Sequence, residues 1–174
     1  VGHGLSEQPE ILIVKNRDES WSWRVRTPQC DNDSKVLTLN LDIALTTLGG
    51  GTQAWDLSSN TASVFGLGDY GDVNNSADAM LAYCFHSIEG YSKVGSYEGN
   101  ASSTDNAFVY TGFRPAFILQ KNADAASSWW LMYDNKRTPY NQVGTALGAQ
   151  VTSADTTGFN IDILSNGFKV RDAE

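Results

Sequence analysis

A ten-residue segment occurs twice in this chain, and the duplication limits the fold more than any other feature. Residues 9–18 recur as residues 115–124, with proline, lysine, asparagine and aspartate at matching positions. Each copy is followed by a pair of tryptophans, which are Trp21 and Trp23 in the first copy and Trp129 and Trp130 in the second. An interval of about a hundred residues is too long for a solenoid repeat and suits a duplicated β unit.

The two copies differ at their ends. Residues 63–67 correspond to residues 166–170, and the first copy then continues into an apolar stretch at 79–85 that the second copy lacks before Glu174. One strand of the second copy is therefore expected to be missing. Either the chain is a fragment, which its start at a residue other than methionine favours, or a neighbouring molecule supplies the strand by edge addition.

Composition excludes several classes of partner. A chain of 174 residues with 41% hydrophobic residues can bury a core, so a globular protein is expected. The formal charge of −8 and the scattered basic residues argue against nucleic acid, which is bound by clustered lysine and arginine. No apolar run approaches the roughly 20 residues that span a bilayer, so no membrane partner is expected.

Short apolar runs bounded by Gly, Asn, Asp and Ser predict strands and turns throughout. The predicted fold is all-β: a duplicated antiparallel β-sandwich, jelly-roll-like and lectin-like, with few short helical turns. The predicted strands are 10–15, 21–26, 36–41, 62–67, 79–87, 91–97, 107–111, 115–121, 128–134, 159–164 and 167–171. The helical candidates are single turns at Asp42–Leu48 and Asn141–Leu147.

Hydrophobic patterning refines this prediction. Residues 11–14 are apolar without a polar break, which predicts that the strand 10–15 lies inside a sheet with both faces covered. Alternation over residues 21–26 predicts a half-exposed strand. The expected domains are 1–100, a first repeat with a bridging strand, and 101–174, a second repeat; the boundary falls in the polar loop 101–106.

Cysteines and histidines give little evidence of chemistry. Cys30 lies in a polar loop and Cys84 in an apolar strand, where a cysteine usually behaves as a small hydrophobe. The two cysteines therefore do not indicate whether the protein functions in a reducing or an oxidising compartment. His3 is expected to cap a loop and His86 to close a strand. No Gly-x-Ser-x-Gly motif accompanies them. We therefore expect no catalytic residue, no cofactor and no enzymatic activity.

One oxygen-rich cluster, at residues 31–34, resembles part of a cation site. Asp31 and Asp33 are its weak metal candidates. The complete twelve-residue calcium loop, with its glycine and terminal glutamate, is absent, so a solvated turn is the favoured interpretation.

Aromatic residues give the best ligand-site candidate, because flat rings can stack on sugars while nearby polar groups bind hydroxyls. The candidate residues are Trp129, Trp130, Tyr133, Asp134, Asn135, Arg137 and Tyr140, and Trp55 is a further exposed-ring candidate. The alternative is that one of the two adjacent tryptophans fills the core while the other packs at a subunit interface, since neighbouring strand residues point to opposite faces.

Several segments, taken in order and spacing, resemble a domain of unknown function that recurs in tail-fibre-like and other virion structural proteins of bacteriophages, especially marine ones. The segments that carry the resemblance are 1–5, 9–18, 82–85, 89–100 and 110–117. The resemblance covers almost the whole chain. It implies a virion surface component with no settled catalytic residues, and family members usually continue past 165–171 into another strand like 79–87.

The sequence therefore predicts a bacteriophage virion surface protein, extracellular, in a tail fibre or other host-attachment appendage. Its expected partners are other copies of itself, with a homotrimer favoured, other virion proteins and a host-surface glycan. One alternative is a capsid decoration protein. A second is a polysaccharide-degrading enzyme, which would need two carboxylates facing each other across a groove.

Overall fold

A computed structural model describes residues 1–100, 102 and 106–171. The chain forms two compact units: unit 1 comprises Val1–Ser87 and Asn122–Ser128, and unit 2 comprises Ile88–Lys121 and Trp129–Glu174. Antiparallel sheets dominate, and the predicted all-β sandwich class is confirmed. The loop expected to separate the repeats falls largely outside the described residues, as do residues 172–174.

Unit 1 contains a five-stranded antiparallel sheet in the order β4-β3-β2-β1-β7, and a two-stranded sheet formed by β5 and β6. Its strands are β1 (Ile11–Asn16), β2 (Arg24–Arg26), β3 (Lys35–Thr38), β4 (Thr46–Thr47), β5 (Trp55–Asp56), β6 (Gly66–Leu67) and β7 (Met80–Phe85). A 3₁₀ turn at Leu57–Ser59 and a short helix α1 at Gly71–Asn74 complete the unit. No described helix has the length and apolar character needed to cross a membrane.

The core of unit 1 lies on the face of β1 that carries Leu12 and Val14. Trp55 is fully buried against these residues and donates its indole N–H to the carbonyl of Lys35 at 2.7 Å. On the opposite face of β1, Ile13 is also buried. The prediction of an interior strand covered on both faces is therefore confirmed for β1.

Unit 2 contains a six-stranded antiparallel sheet in the order β8-β13-β12-β11-β10-β9. Its strands are β8 (Phe108–Tyr110), β9 (Phe117–Lys121), β10 (Trp130–Asp134), β11 (Val143–Gly148), β12 (Thr156–Leu164) and β13 (Gly167–Val170). The core includes Ile118, Tyr133, Ile161 and Phe168, and Tyr97 packs against it with its ring edge-on to Phe168.

The repeated Lys-Asn-x-Asp sequence ends both copies of the strand with the same turn. The side-chain oxygen of Asn16 accepts the backbone N–H groups of Asp18 and Glu19 at 2.9 and 3.1 Å. Asn122 likewise accepts those of Asp124 and Ala125 at 3.0 and 3.1 Å. Asparagine recurs because its side chain can satisfy the backbone where each strand stops.

Both helical predictions are wrong. Within Asp42–Leu48, Thr46 and Thr47 form β4 against β3; within Asn141–Leu147, the chain forms most of β11 between β10 and β12. β-Branched threonines and the helix-weakening Gly144 favour the extended conformation, and pairing with neighbouring strands decides the outcome over a weak helical period.

The predicted bridging strand 91–97 is also wrong. Gly90 takes a left-handed conformation with φ 72°, and an isolated bridge joins Ile88 to Ser92, so the segment begins as a tight turn. Beyond that bridge no strand forms in residues 91–97. Tyr97 packs against the core of unit 2 instead of pairing with a neighbouring strand.

Candidate functional site

The turn after β10 in unit 2 gathers the polar members of the predicted ligand site. The Oδ1 atom of Asp134 accepts the backbone N–H groups of Lys136 and Arg137, each at 2.8 Å. Its Oδ2 atom accepts the Nε–H of Arg137 at 2.6 Å. We call residues 134–137, together with Tyr140 and Asp155, the β10 turn site.

Arg137 is held from three directions within the β10 turn site. Besides its bond to Asp134, Nη2 donates to the carbonyl of Met132 at 3.0 Å, and Nη1 lies 3.2 Å from an oxygen of Asp155. A guanidinium fixed in this way organises the turn, and the half-exposed Asp155 carboxylate at its edge retains capacity for a ligand hydroxyl.

The electrostatics of the turn favour the charged form of the Asp134 carboxylate. The pKa of Asp134 is lowered to about 2, first by the backbone N–H of Arg137, then by its guanidinium and by the backbone N–H of Lys136. A glycoside-cleaving acid requires the opposite shift, a pKa raised toward neutrality. The turn is therefore suited to binding more than to proton donation.

The predicted aromatic residues are distributed differently from the expectation. Trp130 and Tyr133 are buried, with 4% and 2% of their surface exposed, and offer no free face to a sugar. Trp129 is half-buried and stacks on Phe159, with ring centroids 6.5 Å apart. Tyr140, at 82% exposure, is the one predicted ring that projects fully into solvent.

Two further predicted residues take structural positions. Asn135 is half-buried in the turn, and its backbone N–H donates to the carbonyl of Ala116 at 3.2 Å. Trp55 is wholly buried in unit 1, so its ring is a core element and the suggestion of an exposed stacking face there is wrong. In each case burial of the apolar ring or pairing of the backbone outweighs surface display.

The two metal candidates, Asp31 and Asp33, are engaged in contacts within unit 1. Asp31 pairs with Lys35 at 2.9 Å, and Asp33 accepts the backbone N–H of Leu57 at 2.9 Å. Across residues 1–100, 102 and 106–171, no three His, Cys, Asp or Glu side chains gather closely enough to hold a metal ion.

The two histidines and two cysteines lie within unit 1. His3 Nδ1 accepts the backbone N–H of Leu5 at 3.1 Å, and the buried His86 lies 3.4 Å from the Ser6 hydroxyl. Both cysteines are free thiols. Cys30 lies in the loop between β2 and β3, as predicted, but its side chain is buried, and burial raises the pKa of its thiol.

Unit 1 contains a buried ion pair that sequence patterns did not reveal. Arg24 Nε donates to Asp72 at 2.7 Å, and its two other nitrogens donate to Thr38 and to the hydroxyl of Tyr70 at 2.7 and 2.8 Å. This guanidinium is satisfied internally, so the cluster joins α1 to the sheet and is not a ligand site.

The structure also exposes apolar side chains on strands at the sheet edges, which sequence analysis missed. They are Tyr83 and Phe85 on β7, Phe108 and Tyr110 on β8, and Phe117 on β9. A cavity of about 440 Å³ lies beside β7, bounded by Met80, Ala82, Cys84 and the N-terminal residues Val1–His3. No local pattern distinguishes an edge strand from an interior one, because the difference depends on which strands pair.

A family model described as "Domain of unknown function (DUF7483)" matches residues 1–174. No curated protein matches the chain. No solved structure matches it either. Since the match extends over the whole sequence, the chain belongs to the DUF7483 family.

Proposed function

We propose that this chain is a recognition and assembly module on the surface of a bacteriophage virion, in a tail fibre or related host-attachment appendage, and that it has no catalytic activity. The resemblance to virion structural proteins supports the location. Membership of a family of unknown function assigns no activity. The all-β fold suits a stable display scaffold.

The observation that carries the proposal is the display of aromatic rings on regular strands. Tyr83 and Phe85 project from β7 in unit 1, and Phe108, Tyr110 and Phe117 project from the edge strands β8 and β9 of unit 2. Aromatic side chains are enriched at protein interfaces, and clustered exposed apolar groups mark interaction sites. Their placement favours contacts with other copies or other virion proteins.

The β10 turn site is the proposed place for a host-surface glycan. Tyr140 provides the exposed ring, and Asp155 provides a carboxylate at the edge of the turn. Because Asp134 and Arg137 already fix the turn, a sugar would meet a preorganised surface. The buried Trp130 and Tyr133 are not part of the proposed contact.

Adsorption of phage to host cells tests the attachment role. Particles with Tyr140→Ala should adsorb more slowly than wild-type particles, while Lys136→Ala, which alters an exposed residue of the same turn, should adsorb normally. Both chains should unfold at the wild-type temperature. Unchanged adsorption by the Tyr140→Ala particle would contradict glycan stacking at this site.

A capsid decoration protein is the second candidate, because open sheet edges with aromatic residues also suit contact with shell subunits. Cryo-electron microscopy of the intact particle separates the two roles. Density for this fold at the tail supports host attachment, whereas density tiling the head supports decoration. A homotrimer is the assembly proposed for the tail position, and its three-fold symmetry would be visible in the same map.

A further inference from the structure

The duplicated strand has different neighbours in the two units. In unit 1, β1 carries the first copy and lies between β2 and β7. In unit 2, β9 carries the second copy and ends the sheet, with β10 as its only partner among the strands the structure describes. The second copy therefore offers an open edge where the first copy holds a strand.

Hydrogen-bond alternation shows which backbone groups of β1 hold β7. Arg17 donates its backbone N–H to the carbonyl of Ala79 at 2.8 Å, one step beyond the ladder in which Ile13 lies opposite Tyr83. Since antiparallel strands bond at every second residue, Ile11 and Ile13 direct their N–H and C=O groups toward β7.

The matching groups of β9 face outward. Asn135 donates its backbone N–H to the carbonyl of Ala116 at 3.2 Å, next to the pair Phe117–Asp134. The same alternation then directs Ile118 toward β10 and turns Phe117 and Leu119 to the open edge. These two residues are the duplicates of Ile11 and Ile13. No hydrogen bond to their outward groups is made by the described part of the chain.

The exposure of Phe117 is consistent with a place for a further strand beside β9. Ile11 is half-buried opposite Phe85 of β7. Its duplicate Phe117 lies on an open edge and is 57% exposed. A large aromatic residue at the edge of a sheet is unfavourable in water unless a partner covers it, and a cross-strand apolar neighbour would do so.

We propose that the outer edge of β9 is an acceptor for an antiparallel β-strand contributed by a partner polypeptide. The strand it fits has the chemistry of β7: six uncharged residues, of which alternate large apolar ones lie opposite Phe117 and Leu119. An acidic residue just beyond the strand, as Glu89 follows β7, would lie near the exposed Arg114.

One anchor of the resident pair is absent from the acceptor. Glu10 accepts the backbone N–H of Ser87 at 2.5 Å and so secures one end of β7, but its duplicate is Ala116. The added strand is therefore held by ladder hydrogen bonds and apolar contact, without this side-chain bond.

A synthetic peptide with the sequence of residues 78–89, carrying Cys84→Ser to prevent oxidation, tests the acceptor on the intact protein. We expect saturable one-to-one binding, with nuclear magnetic resonance shifts concentrated on the amides of Phe117 and Leu119. Binding that shifts Ile11 and Ile13 instead would mean that the peptide replaces the resident β7, and it would overturn the assignment.

Methylation of single peptide nitrogens provides the matched control. In the register of the β1–β7 pair, the N–H at Tyr83 faces the acceptor and the N–H at Ala82 faces away. N-methylation at Tyr83 should weaken binding by about tenfold or more, the loss of roughly one hydrogen bond, whereas N-methylation at Ala82 should not. Equal effects at the two positions would contradict strand addition.

Variants of the protein provide a second line of evidence. Leu119→Pro removes an outward N–H without removing a bond to β10, so it should abolish peptide binding; Ala82→Pro, at the outward edge of β7, should not. Should Leu119→Pro fail to fold, Leu119→Lys at the same edge replaces it. Sedimentation of the protein without peptide tests whether a second copy of this chain occupies the edge. Self-association that the Leu119 variant abolishes would assign the edge to a second copy and would overturn its assignment to a strand from a different polypeptide.

Discussion

The strands β1 and β9 contain the same repeated sequence in different surroundings. In unit 1, β1 has a strand on each side, and residues on both of its faces are buried. In unit 2, β9 has one neighbour among the strands that the structure describes, and only Ile118 within it is buried. The comparison shows that the number of paired neighbours, more than the local sequence, determines how much of a strand is exposed.

The aspartates that follow β1 and β9 also differ in whether they contact a neighbouring strand. Asp18 follows β1 and accepts the backbone N–H of Ala79 at 2.6 Å, at the start of β7. Its duplicate Asp124 is exposed after β9. The aspartate thus recurs in the sequence, although it meets an adjoining strand only in the first copy among the described residues.

Truncation of the matched core residues should have the largest effect and would sharpen this comparison. Leu12→Ala is expected to lower the free energy of unfolding by about 2–5 kcal/mol, because Leu12 is fully buried in an interior strand. Ile118→Ala, its duplicate at an edge, should cost less. Urea denaturation measures both, and a larger loss for Ile118→Ala would contradict the difference in packing.

Removal of one charge from the ion pair of unit 1 should have the next largest effect. The side chains of Arg24 and Asp72 are 14% and 13% exposed, so Asp72→Asn leaves a guanidinium poorly compensated and should cost about 2–4 kcal/mol. In unit 2, Asp134→Asn breaks a more exposed pair and should cost about 1 kcal/mol or less. Thermal melts compare the variants, and equal losses would refute the ranking.

Acid should affect the β10 turn through Asp134. Its pKa in the folded protein, about 2, is lower than that of an unfolded aspartate, so the stabilisation is complete above about pH 4 and is lost as the pH falls toward 2. Asp134→Asn should reduce this acid dependence. Urea denaturation of both proteins from pH 5 to pH 2 measures it; identical pH profiles would contradict the assigned role.

The smallest effect is expected at the exposed duplicate. Phe117→Ser should change the free energy of unfolding by no more than about 0.5 kcal/mol, since the ring is 57% exposed. Ile11→Ser, at the matching position opposite Phe85 of β7, should cost about 1 kcal/mol or more. Guanidinium denaturation distinguishes them, and a greater cost at Phe117 would show that its ring is covered in the free protein.

The sequence predicted the elements whose signal is local. The uninterrupted apolar run at 11–14 correctly predicted an interior strand, and alternating patterns correctly predicted an all-β fold. Long-range pairing determined the rest. Asn141–Leu147 became mainly a strand because β10 and β12 flank it. Trp130 is buried on the face of β10 opposite Leu131 and Tyr133, and this burial depends on packing that the local sequence does not reveal.

The candidate site was predicted only in part, because some of its features are local in sequence and others depend on the whole sheet. Asp134 and Arg137 are close in sequence, and their pairing follows from a short turn. The exposure of Tyr140 and the burial of Tyr133 depend on where the strand ends, which composition does not reveal. The open edge of β9 was anticipated only as a missing strand, because edge position is a property of the whole sheet.

Amide hydrogen exchange of the duplicated strands tests the central claim most directly. In the free protein, the amide of Ile13 should exchange slowly because it is bonded within the β1–β7 pair, whereas the amide of its duplicate Leu119 should exchange near the rate of an unprotected residue. Ile118, which bonds to β10, serves as the internal control for unit 2. Slow exchange at Leu119 equal to that at Ile13 would show that the edge of β9 is already paired and would contradict the account.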